Sequence, residues 1–145
     1  MHRTLFASAL GLLALTLSAN AHIRVLPLES HQGMRQTYTV KVPTEGNVAT
    51  TSVELEIPEG VSVTSVMGQA EAKKAGTRTV SITWKVQIPP GQSMDLVFEA
   101  TNPANGQEVI WKAHQHFADG SSRHWVDAPR TPSPASVTKL SAGAH

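Results

Sequence analysis

Thr37-Tyr38-Thr39-Val40-Lys41-Val42 is the stretch on which the reading of the fold turns. Its apolar members, Tyr38, Val40 and Val42, recur at every second residue, with Thr37, Thr39 and Lys41 between them. Successive side chains of an extended strand leave on opposite faces, so this is the pattern of a strand buried on one face and wet on the other. Downstream the same period returns in Val53, Leu55 and Ile57, with Glu54 and Glu56 facing outward and Pro58 closing the strand. It returns again in Val80, Ile82, Trp84 and Val86, in Met94, Leu96, Phe98 and Ala100, and in Val109, Trp111 and Ala113. No segment sustains a helical period.

Turn residues fall between these runs: Pro58-Glu59-Gly60, Pro89-Pro90-Gly91, Asn102-Pro103 with Asn105-Gly106, and Asp119-Gly120. Many short strands at regular spacing predict an all-β fold, an antiparallel β-sandwich of immunoglobulin or cupredoxin type. Val40, Leu55, Ile82, Phe98 and Trp111 are its expected inner-face residues. The segment from Gly68 to Gly76 could form one helical turn but reads more readily as a loop. Val137 to Leu140 is expected as a last edge strand or a packed tail, and no repeat or second domain is visible.

Ahead of the strands stands a short basic start (Met1-His2-Arg3), an apolar run from Leu5 to Leu17, and Ser18-Ala19-Asn20-Ala21. The run is too short for a membrane span, and the small residues Ala19 and Ala21 fit the cleavage rule of a signal peptide cut after Ala21. Residues 1–21 are therefore expected as a leader and 22–145 as one domain, large enough to close one core. A soluble periplasmic or secreted product without a membrane anchor is the expectation, since the tail Leu140-Ser141-Ala142-Gly143-Ala144-His145 is small and polar. The chain has no cysteine, which excludes disulfides, zinc-thiolate centres and blue-copper sites. Losing Arg3 with the leader takes the 12 basic residues to 11, against 11 acidic ones; a neutral domain without a basic stripe argues against nucleic acid.

Cutting after Ala21 would make His22 the first residue of the mature chain. Its freed α-amine and ring Nδ1 then close one chelate ring on a metal, a pairing that suits Cu(II) above other common divalent ions. The plainer alternative is that some residue must follow the cut. Two nitrogens leave Cu(II) short of ligands, and acidic side chains near strand ends are the obvious oxygen donors. Glu45, where the Val42 strand gives way to a loop, is either such a donor or a solvated loop acid.

A second cluster is His114-x-His116, followed beyond Asp119-Gly120 by His124-Trp125. His114 and His116 share a strand face, opposite Trp111, Ala113 and Phe117, and a tight turn at Asp119-Gly120 would bring His124 or Trp125 across from His116. Such a face is open to two readings, a zinc or copper site or an exposed polar surface. Trp84 and Trp111 fall within apolar strands and read as core. Trp125 lies between His124 and Asp127; beside a metal, an indole would exclude water and offer its π-face. No nucleophile–base set, phosphate loop or His-Glu-x-x-His pattern suggests catalysis.

Taken in order, several stretches resemble the YcnI-like copper-binding family of bacterial extracytoplasmic domains. They are Ala21-His22-Ile23-Arg24-Val25 with Pro27, Thr37 to Glu45, Ala49 to Val61, and Phe98-Glu99-Ala100-Thr101-Asn102-Pro103. Trp111-Lys112-Ala113 with Gln115, and Asp119-Gly120 before His124-Trp125, complete the likeness over nearly the whole mature chain. The resemblance implies a β-sandwich that holds Cu(II) through the amine and ring of His22 and the carboxylate of Glu45, with Trp125 beside the metal. The segment Gly68 to Gly76 departs from the family pattern in lacking a Gly-Trp pair.

The expectation is thus a non-enzymatic, extracytoplasmic Cu(II)-binding protein serving copper storage, delivery or homeostasis, with a copper transport or copper-accepting protein as partner. Its rivals are a histidine-brace oxidative copper enzyme, which needs a second histidine at His22, and a metal-free β-sandwich interaction domain.

Overall fold

Among residues 22–143, which the computed structural model describes, the chain forms twelve strands and no helix. The expected leader, residues 1–21, lies outside the described residues. In chain order the first strands are β1 (Arg24–Leu26), β2 (Glu29–His31), β3 (Arg35–Pro43) and β4 (Thr50–Glu56). Next come β5 (Ser62–Val66), β6 (Ala70–Ala75), β7 (Arg78–Ile88) and β8 (Ser93–Thr101). The last are β9 (Glu108–Trp111), β10 (Ala113–Phe117), β11 (Ser122–Trp125) and β12 (Ser136–Ser141).

One sheet has the order β1-β3-β8-β5, a second β11-β10-β4-β7-β6, and a small third β2-β12-β9. Every pairing is antiparallel except β2 with β12. Those two strands come from opposite ends of the domain, so no short hairpin obliges them to run antiparallel.

The period-two residues fill the space between the sheets. Tyr38, Val40, Val42 and Phe98 are buried on the first sheet, and Val53, Leu55, Ile82 and Trp84 on the second. Phe98 approaches Trp84 across the core with ring centroids 6.2 Å apart, and Trp111 of the third sheet meets both Tyr38 (5.0 Å) and Phe98 (5.6 Å) edge-on. These aromatic contacts tie all three sheets into one core, each pair adding roughly 0.5–1.5 kcal/mol beyond simple burial. The expected inner-face residues Val40, Leu55, Ile82, Phe98 and Trp111 are all buried.

Two segments differ from expectation. The supposed loop from Gly68 to Gly76 contains β6, an exposed edge strand on β7. Its outer edge needs no apolar face, and Lys73 and Lys74, with a register shift between them, discourage pairing with another molecule. The C-terminal strand β12 is not at an edge; it lies between β2 and β9, and the β1 amide of Val25 donates to its Ser136 hydroxyl at 2.9 Å.

Candidate metal centre

His22 stands two residues ahead of Arg24, which pairs with Lys41 of β3. Since β3 ends at Pro43, the chain leaves the sheet there and carries Thr44 and Glu45 into a turn beside the start of β1. His22 and Glu45 are exposed and line one open cleft of about 700 Å³, with Arg24, Lys41 and Asp95 on its walls. The Lys41 ammonium is engaged by the Asp95 carboxylate at 3.2 Å, which offsets positive charge near the cleft.

Trp125 closes β11 at the edge of the second sheet and is only 2% exposed. The His22 imidazole lies against its indole, with ring centroids 5.4 Å apart and planes inclined by 55°. The Arg123 guanidinium carbon sits 4.3 Å from the same indole's centroid, a cation–π distance. The structure therefore packs His22 against Trp125 and sets it on the same cleft as Glu45, three residues from distant parts of the chain.

A buried polar chain fixes this meeting point. The Trp125 indole N–H donates to Gln115 Oε1 at 3.1 Å. Gln115 Nε2 donates in turn to the Pro43 carbonyl at 2.9 Å and to Thr50 Oγ1 at 2.8 Å. The Thr50 and Thr44 hydroxyls are 2.6 Å apart, and all three polar side chains are buried. Thr44 is held again through its backbone, its N–H donating to the Gln92 carbonyl and its carbonyl accepting from the Gly91 N–H, each at 2.8 Å. Gly91 has φ +78°, a conformation a side chain would strain. Buried polar groups are costly unless paired, and here the pairing runs from β10 and β11 to the residue beside Glu45.

Gln115 went unremarked as a functional residue in the sequence reading, although its signal was there. On a strand it shares a face with Ala113, so a glutamine points inward where an apolar residue is expected.

An imidazole and a carboxylate facing one cleft form a mixed nitrogen–oxygen donor set of the kind that suits Cu(II). Among the described residues no three His, Asp or Glu side chains converge as a metal site. Copper at His22 would therefore depend on a further donor, and a freed α-amine supplies one without adding a side chain.

The histidine cluster takes a different register from the expected one. Four residues separate β10 from β11, and His116 pairs with Ser122 while His114 pairs with His124 and Ala113 with Trp125. His124 thus joins His114 on the outer face, and Trp125 turns into the interior.

The sequence matches the family described as Domain of unknown function (DUF1775) over residues 68–140. It is 36% identical over 137 residues to a Bacillus subtilis (strain 168) protein named Copper-binding protein CutI, covering 90% of this chain and 67% of that one. Its fold is similar to the immunoglobulin-like fold of an uncharacterized Nocardia farcinica protein (TM-score 0.72, 24% identity), covering 83% of this chain and 98% of that one. The human F-spondin reeler domain is more distant, with TM-score 0.50 and 15% identity over 84% of this chain and 91% of that one.

Proposed function

This chain belongs to the DUF1775 family of YcnI-like domains, and from that membership and the cleft at His22 we propose that it is an extracytoplasmic Cu(II)-binding protein of copper storage or delivery. Export and cleavage after Ala21 free the α-amine of His22. Copper, as cargo, is then held by that amine, by the His22 ring and by the Glu45 carboxylate, with the Trp125 indole alongside. The observation that carries this reading is the shared cleft of His22 and Glu45 with Trp125 packed against the imidazole. A relative named as a copper-binding protein supports the choice of metal.

Each residue has a distinct task. The His22 nitrogens give directional bonds, and Glu45 supplies an anionic oxygen that offsets the charge of a dication. Gln115 and Thr44 hold the indole and the Glu45 turn at a fixed separation, so the cleft is preorganised. Amine, imidazole and carboxylate suit Cu(II) but match Cu(I) poorly, because Cu(I) prefers soft sulfur donors. Reduction therefore loosens the cargo and favours its transfer to a copper-accepting protein, a binding role and not an enzymatic one. The histidine-brace reading needs a second histidine beside the first, and the described residues lining the cleft include His22 as their one histidine.

The test begins with mass spectrometry of the exported protein, where the expected N-terminus is His22. Electron paramagnetic resonance of the Cu(II) form is then compared between wild type, Glu45→Gln and His114→Ala. A signal that changes with Glu45 and not with His114 supports the assignment; the reverse pattern overturns it.

A further inference from the structure

On the outer face of the second sheet the side chains of His114 and His124 meet with their Nδ1 atoms 2.7 Å apart. The other ring nitrogen of each faces an oxygen: His114 Nε2 stands 2.8 Å from Glu56 Oε2, and His124 Nε2 stands 3.3 Å from Ser122 Oγ. An ionised carboxylate only accepts hydrogen bonds, so Glu56 holds the proton of neutral His114 on Nε2 and leaves Nδ1 as a lone pair. The Ser122 hydroxyl can donate to His124 Nε2, which places the His124 proton on Nδ1, directed at the His114 Nδ1 lone pair. Two ring nitrogens at this distance share one proton in an N–H···N hydrogen bond, and a metal ion that displaces that proton meets two nitrogen donors side by side. A carboxylate on the outer nitrogen is also how proteins orient metal-binding histidines.

We propose that His114 and His124 form a second copper site, separate from the His22 cleft, in which their Nδ1 atoms bind one Cu(II) side by side and Glu56 orients His114. Two nitrogens about 2.05 Å from a metal and at right angles stand about 2.9 Å apart, against about 3.3 Å at the tetrahedral angle. The observed 2.7 Å is within a few tenths of an ångström of the right-angled value, so a small adjustment of the rings admits a square-planar ion such as Cu(II). Glu54 pairs directly with His114 across β4 and β10, so the face beside the imidazoles is acidic. His124 is exposed, which leaves the remaining coordination positions open to water. Trp125 faces the interior, so the two sites lie on opposite sides of β11.

The experiment uses the chain from His22 with the first site removed by His22→Ala and N-terminal acetylation, titrated with Cu(II). The expected result is one bound equivalent whose pulsed electron paramagnetic resonance shows two imidazole nitrogens. His124→Ala in that background weakens binding at least tenfold, and Glu56→Gln weakens it by about tenfold through loss of the orienting charge. Because His124 is exposed, its removal leaves the fold intact, which circular dichroism checks. Equal Cu(II) binding with and without His124, or no binding in the blocked protein, overturns the proposal. Neither result touches the His22 site, which is read separately in the unblocked His124→Ala protein.

Discussion

Replacing Gln115 by leucine keeps nearly the same volume and deletes the centre of the polar chain behind the cleft. Its partners fare differently. The Trp125 indole N–H is buried and loses its acceptor, while Thr50 keeps the Thr44 hydroxyl and the half-buried Pro43 carbonyl retains some access to water. An orphaned buried donor costs about 1–3 kcal/mol, and each hydrogen bond lost about 1 kcal/mol more. The greater apolarity of leucine returns about 1 kcal/mol. The expected net loss is about 3 kcal/mol, or roughly a 12 °C fall in midpoint temperature for a domain of this size. Urea unfolding followed by tryptophan fluorescence measures it, with Gln87→Leu on the exposed side of β7 as the comparison, expected within about 0.5 kcal/mol of wild type. The same substitution should weaken Cu(II) binding below the transition, because Trp125 and the Glu45 turn lose their common tether. A Gln115→Leu protein as stable as the Gln87 variant would refute the assignment of this residue as the structural link.

Glu45→Gln should weaken Cu(II) binding while leaving the urea midpoint unchanged, since the side chain is exposed and only its charge is removed. Trp125→Phe should cost about 2 kcal/mol by leaving the Gln115 carbonyl without its donor, and should alter the absorption spectrum and redox potential of the copper form more than its affinity. Tyr38, the single tyrosine of the chain, is pushed up to about 12 by burial, its hydrogen bonds to Ser30 and Asn102 acting in the opposite direction. Its folded value lies above its unfolded one, so its contribution is complete below about pH 10 and is lost as the pH rises towards 12, by about 2–3 kcal/mol. Tyrosinate absorbance should show that late titration directly.

The sheets were legible because period-two patterning and one-sided burial are local properties of strands such as Thr37 to Val42. The edge strand β6 was not, because five of its six residues are exposed and none has to alternate; pairing to β7 makes it a strand. The central place of β12 was equally hidden, since its parallel partner β2 lies more than a hundred residues away. His22, Glu45 and Trp125 could be named from chemistry and family resemblance, and their nearness follows from strand order. The polar chain through Gln115 needed coordinates, because which hydroxyls and carbonyls an inward glutamine reaches depends on how the sheets pack. The pairing of His114 with His124 depended on the register of one hairpin, and a shift of a single residue there would separate them onto opposite faces.

The central claim, that the free amine of His22 is a copper ligand, is tested most directly by Cu(II) titration of the chain beginning at His22 against the same chain acetylated at that amine, both carrying His124→Ala. The expected result is one tightly bound equivalent in the free-amine protein, weakening as the pH falls because protons compete for the same nitrogens, and at least a hundredfold loss on acetylation, on the order of 3 kcal/mol. Equal affinity for the two proteins would contradict it.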